Sequence, residues 1–219
     1  MTHLEEELKA LKKEVTIMFM LVHAQLAKAN KALHELDKDL AHEILLTEKR
    51  VNAQELSIDR DCENFLALYN PVAVDLRYIL AVLKINSNLE RTGDIAEGIA
   101  RFLLESENSF DKKLLEETRL TQMFDIAVKM MDDISEAFEQ ENTAMARSIF
   151  RQDVFLDEVN RAANKNIAAY ILANPANSEQ ALHILSTIRK IERVGDQAKN
   201  IAEEIIFYVE AKVLKHGKK

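Results

Sequence analysis

Leu89-Glu90-Arg91-Thr92-Gly93-Asp94-Ile95-Ala96-Glu97-Gly98-Ile99-Ala100 returns 102 residues later as Ile191-Glu192-Arg193-Val194-Gly195-Asp196-Gln197-Ala198-Lys199-Asn200-Ile201-Ala202. Aligned without gaps, residues 80–100 and 182–202 are identical at nine of 21 positions, where chance gives about one or two. The chain is therefore a tandem duplication. The retained set, Glu-Arg-x-Gly-Asp, places two acids one helical turn apart around a glycine, which core formation alone does not ask for.

Working outward, the spacing is helical throughout. Leu4, Leu8, Leu11, Val15, Met18 and Val22 form a heptad seam, which predicts a long amphipathic helix to about residue 30. A second helix is expected over residues 37–69, ended by the effect of Pro71 on Asn70. Pro71 suits the first turn of a third helix, through Leu76, Leu80, Leu83 and Leu89 to about residue 105. The polar stretch 106–111 reads as a link. A fourth helix carries Leu114, Leu120, Phe124, Ala127 and Phe138, and a fifth carries Met145, Ile149, Leu156, Val159, Ala163 and Tyr170. After the break at 174–178, with Ser178 as an N-cap, the sixth carries Leu182, Leu185, Ile188, Ile191, Ala198 and Ile205. The expected fold is all-α: six helices in two pseudo-symmetric three-helix bundles, residues 1–106 and 107–219.

Composition agrees. Only four glycines, two prolines and no tryptophan, with 47% hydrophobic residues, suit long helices and a sizeable core. A net charge of −8 argues against nucleic acid as a partner, because phosphates require a basic stripe. The single cysteine, Cys62, leaves no internal disulfide and suits a reducing cytosol. The acidic N-terminal stretch does not read as a signal peptide, and the apolar run 15–22 is too short to span a bilayer. The basic tail, Lys212, Lys215, Lys218 and Lys219, reads as a solvated helix end.

A lone acid-x-x-x-acid pair is worth little, since about six arise by chance in a chain this acidic. Repetition changes that. Glu90/Asp94 is matched by Glu192/Asp196, and Gln54-Glu55-x-x-x-Asp59 by Gln152-Asp153-x-x-x-Asp157. Each half thus offers two acid pairs from two helices. Their mutual repulsion needs a neutraliser. Arg91 and Arg193, three residues before Asp94 and Asp196, are one. A cation is the other; all-carboxylate shells suit Mg²⁺, Ca²⁺, Mn²⁺ or iron. Both readings stand on these residues. Gly93 and Gly195, each costing about 1 kcal/mol in mid-helix, point to close helix approach or to access to the acids. No histidine has a glutamate three residues before it, so the Glu-x-x-His signature of di-iron bundles is missing; no nucleophile or general base stands out either. His183 reads as structural.

The run Asn70-Pro71-Val72-Ala73-Val74-Asp75-Leu76-Arg77-Tyr78, with Leu89-Glu90-Arg91-Thr92-Gly93-Asp94 and its second copy, resembles the PhoU family of bacterial phosphate-uptake regulators. The resemblance covers the whole chain. It implies two three-helix bundles and metal clusters, iron or zinc, on Glu55, Asp59, Glu90, Asp94 and on Asp153, Asp157, Glu192, Asp196. Asp75, Arg77, Arg91, Gly93, Arg193, Gly195 and Asn200 take structural or partner-binding roles. It further implies a cytoplasmic homodimer without enzymatic activity that meets the ATPase subunit of the phosphate ABC transporter and the phosphate-sensing histidine kinase. Membrane association then runs only through partners. Three positions depart from the family pattern: Asn70 for Gln, Gln197 for His, and Lys199, which stands where the first half has Glu97. Lys199 can partly neutralise the second acid cluster, so the first half is the better candidate for metal. The competing readings are a carboxylate-metal enzyme (phosphohydrolase or iron oxidase), a related regulator of another transporter, and a structural dimer with solvated acids.

Overall fold

The computed structural model describes residues 3–107 and 109–214, and Lys215, Lys218 and Lys219 of the basic tail lie outside them. Among the described residues seven α-helices follow in order: α1 (His3–Glu35), α2 (Lys38–Tyr69), α3 (Ala73–Glu105), α4 (Lys112–Thr118), α5 (Leu120–Gln140), α6 (Thr143–Ala173) and α7 (Ser178–Glu210). A single 3₁₀ turn, Pro175–Asn177, precedes α7, and no strand occurs among the described residues. None of these helices is long and apolar enough to cross a membrane.

The expected fourth helix is two. Arg119 breaks it with a left-handed backbone (φ 58°). The buried Thr118 hydroxyl bonds back to the Leu114 carbonyl at 2.7 Å, and Asn166 of α6 donates to the Glu117 carbonyl at 3.2 Å. Carbonyls at the break are thus satisfied, and Leu114, Leu115 and Leu120 stay buried on either side of it. Three boundaries also shift. α1 runs on to Glu35. Pro71 lies ahead of α3 rather than in its first turn, because Val72 is extended (φ −124°). Ser178 is the first helical residue of α7 (φ −61°) rather than its N-cap, and its amide donates to the Pro175 carbonyl as the 3₁₀ turn leads directly into the helix.

Other ends follow the local chemistry. Asp37 caps α2 by accepting from the amides of Asp39 and Leu40, both at 3.0 Å, and Asn142 caps α6 in the same way. Asn70 ends α2 in the left-handed region, which asparagine tolerates better than other side chains. Asp111 caps α4 and also accepts from the Tyr170 hydroxyl at 2.5 Å, which pins the link 106–111 to α6.

Helices α1, α2 and α3 pack on one another, as do α5, α6 and α7, while α4 lies on α6 and α5. The two sets meet along α3–α7 and α1–α5. Both pairings are antiparallel: Lys84 reaches Glu204 (3.1 Å) and Lys190 reaches the Gly98 carbonyl (2.7 Å), while Lys12 reaches Glu141 and Asn30 reaches Asp125. Four aromatic rings close the centre, one from each of these helices. Phe19 lies 5.5 Å from Phe138, and Tyr78 lies 5.3 Å from Tyr208 edge-on. One continuous core therefore runs through both sets.

Candidate functional site

Two glycines at matched positions organise two acid clusters. A Cβ on Gly93 would lie 3.0 Å from Glu48 Oε2, 3.1 Å from Gln25 Oε1 and 3.2 Å from Val51 Cγ1. A Cβ on Gly195 would lie 2.8 Å from Leu156 Cδ2 and closer still to Asp153 Oδ1. Each glycine thus admits a buried carboxylate from the preceding long helix: Glu48 of α2 in one half, Asp153 of α6 in the other.

That geometry corrects the register read from sequence. Glu48 and Val51 face Gly93 as Asp153 and Leu156 face Gly195. The counterpart of Asp153-x-x-x-Asp157 is therefore Glu48-x-x-x-Asn52, seven residues ahead of Glu55-x-x-x-Asp59. Seven residues is close to two turns, so the slip keeps the same helix face and the apolar seam does not reveal it. Sequence reasoning missed Glu48 and Gln25 for this reason, and because Asn52 is not an acid. The one available signal was the Glu-x-x-Val and Asp-x-x-Leu spacing before the glycine-bearing helices.

In the first cluster, Gln25 of α1 donates to Glu48 Oε2 at 2.8 Å. The second oxygen of Glu48 and that of Gln25 have no hydrogen-bond partner, although both side chains are buried. Burial raises the Glu48 carboxyl above its ordinary range; the Gln25 bond opposes this, and the charges of Asp94, Glu97 and Glu55 add to it. Burial, reinforced by Asp94, Glu55 and Glu48 and partly opposed by Arg91, pushes Glu90 up to about 7. Glu55 is raised by burial and by Asp59 and Asp94. Glu55, Glu90 and Asp94 thus lie within electrostatic reach of Glu48. Asp59 bears on Glu55 but not on Glu48 or Glu90, and it accepts from the Asn86 amide at 2.9 Å.

The second cluster is closed. Lys199 forms ion pairs with Asp153 and with Asp196, the latter at 2.8 Å. Burial works against its charge, yet those bonds hold its pKa above the ordinary lysine value. Burial raises Asp153, with Lys199 opposing. Glu192 is raised by burial and by Asp196 and Asp157, again with Lys199 opposing. Arg91 and Arg193 are exposed and neither forms an ion pair among the described residues; Arg91 acts on Glu90 only through its field. Asn200 donates to Asn88 across the α3–α7 seam at 3.3 Å. Asp75 and Arg77 lie half-buried at the start of α3, with Arg77 Nε unpartnered. His183 stacks on Phe102 at 4.1 Å, in a structural position. A cavity of about 820 Å³ lies away from both clusters, between the end of α3, the link and the start of α7.

The donor chemistry of the first cluster, oxygen only and short of counter-charge, fits a hard cation. Among the described residues, however, no three His, Cys, Asp or Glu side chains stand together as a ready-made metal site.

The fold and the repeat define the class: a duplicated helical protein in which a glycine of each half seats a buried carboxylate. It is a member of the PhoU family: the PhoU domain model matches twice, over residues 15–103 and 120–205. The chain is 31% identical over 210 residues to the phosphate-specific transport system accessory protein PhoU of Escherichia coli, covering 96% of this chain and 86% of that protein. It is 34% identical over 212 residues to the homolog from Aquifex aeolicus, covering 96% and 95%. The crystal structure of PhoU from Pseudomonas aeruginosa superposes with a TM-score of 0.90 at 30% identity, covering 95% of this chain and 99% of that one. The phosphate transport system regulatory protein PhoU from Streptococcus pneumoniae gives 0.85 at 28%, covering 96% and 99%.

Proposed function

We propose that this chain restrains phosphate uptake and the phosphate-starvation response, as a cytoplasmic adaptor without enzymatic activity. The observation that carries this reading is end-to-end likeness to proteins named for the phosphate-specific transport system, with one of them 33% identical across 96% of this chain. On this reading its partners are the ATPase subunit of a phosphate ABC transporter and a phosphate-sensing histidine kinase, and it meets the membrane only through them. It acts as a homodimer. The mutual packing of α1–α3 and of α5–α7, with the two family-model matches, supports reading residues 1–106 and 107–219 as two pseudo-symmetric three-helix bundles. No observation favours the alternative of a carboxylate-metal enzyme.

Metal is part of the proposal for the first half only. Glu48, Glu55, Glu90 and Asp94 would hold it once their side chains move together, and the unpartnered oxygens of Glu48 and Gln25 favour it. Oxygen donors suit Mg²⁺, Mn²⁺, Ca²⁺ or iron better than zinc. A bound cation would supply the counter-charge that these carboxylates lack.

Deleting the gene is expected to derepress phosphate-starvation genes in phosphate-rich medium, read as alkaline phosphatase activity, and restoring the chain to repress them again. Unchanged repression in the deletion strain would sink the reading.

A further inference from the structure

We infer that Lys199 is a built-in counter-ion that takes the place of a metal in the α6/α7 cluster, so that only the α2/α3 cluster admits a cation. The inference rests on the family's metal reading for the first half and departs from it in the second.

The Lys199 ammonium sits between Asp153 and Asp196, bonded to both. The Lys199 side chain is 18% exposed and that of Asp153 is 5% exposed, so the pair is held largely out of water. Gly195 leaves room for that carboxylate, and a Cβ there would press on Asp153 Oδ1. A divalent cation entering this cluster would meet a fixed positive charge bonded to the oxygens it needs. At contact distances in a partly buried site, that repulsion is only weakly screened. Binding would require Lys199 to leave both aspartates first.

The matched position in α3 is Glu97, a carboxylate. It turns outward to Arg101 at 2.6 Å and adds its negative charge to the field that raises Glu48. Among the described residues, Glu48, Glu55, Glu90 and Asp94 have no ion pair at all. One residue of opposite sign therefore separates two clusters built around the same glycine. The first is short of positive charge and the second carries its own.

The test counts Mn²⁺ binding to the full chain by the EPR signal of free Mn²⁺, with carboxylate substitutions marking each cluster, because the two clusters face each other across the α3–α7 seam. The native protein should bind Mn²⁺ at a site that Glu90→Gln removes and Asp196→Asn leaves intact. Lys199→Glu should gain a further site that Asp196→Asn removes, filled at Mn²⁺ concentrations at least about tenfold below any at which Asp196→Asn changes binding to the native protein. Lys199→Gln is the second variant, for the case in which the glutamate form folds only with metal; folding on addition of Mn²⁺ supports the proposal. Loss of native binding in Asp196→Asn overturns it, as does a lack of gain in both variants. If native protein binds no Mn²⁺ while Lys199→Glu gains a site that Asp196→Asn removes, the counter-ion role stands and the metal reading of the first half fails.

Discussion

Lys199 is bonded to Asp153, the buried carboxylate that stands opposite Gly195. The pair ties α7 to α6, and with the Asp196 bond it offsets part of that cluster's negative charge. Removing one partner of a buried pair leaves the other uncompensated, which costs about 3–5 kcal/mol. Lys199→Met is expected to lose stability on that scale in urea unfolding without added metal. Adding Asp153→Asn should recover a substantial part of it. A Lys199→Met protein as stable as the parent would show the pair to be inconsequential.

The glycines give a graded pair. Gly195→Ala forces Asp153 and Leu156 aside, an overpacking cost of about 1–3 kcal/mol, against about 1 kcal/mol gained in helix propensity. Gly93→Ala meets the flexible ends of Glu48 and Gln25 at 3.0–3.1 Å, which can give by a few tenths of an ångström. Denaturation midpoints should therefore fall for Gly195→Ala and change little for Gly93→Ala. The reverse order would contradict the contacts described.

The first cluster sets a pH dependence. Glu90 is held at about 7 in the folded chain, against 4.5 for an ordinary glutamate. Between those values the folded state keeps a proton that the unfolded state has released. Stability is thus greatest below pH 4.5 as far as this group is concerned, and it declines as pH rises towards 7. Glu48 and Glu55 are shifted the same way and titrate with it as a group. Glu90→Gln should flatten this decline in unfolding curves measured across the window. An equally steep decline in the variant would remove Glu90 as its source.

Phe138 joins the two helix sets. It is fully buried and lies beside Phe19, Tyr78 and Tyr208. Phe138→Ala should cost about 3–5 kcal/mol, and because the core is continuous the loss should appear in one unfolding transition that both halves share. Two separate transitions, only one of them displaced, would mean that the halves unfold independently.

The sequence by itself determined that the chain is helical and duplicated. Heptad spacing, the repeated Glu-Arg-x-Gly-Asp and the polar break near 106–111 depend on neighbours a few residues apart, and such patterns survive without knowledge of the fold. The role of Lys199 was legible too, since its position against Glu97 follows from the repeat. Tertiary structure decided the rest. The break at Arg119 came from how Asn166 and the buried Thr118 satisfy carbonyls, contacts between helices that local propensity does not encode. The partner of Gly93 was Glu48 rather than Glu55, because a two-turn slip leaves the seam unchanged and only the distance across helices separates the two. Gln25 belongs to the cluster solely through packing, as α1 carries it to Glu48 from 23 positions away. The ring cluster that fuses the halves required the antiparallel meeting of α1 with α5 and of α3 with α7, which no repeat within either half specifies.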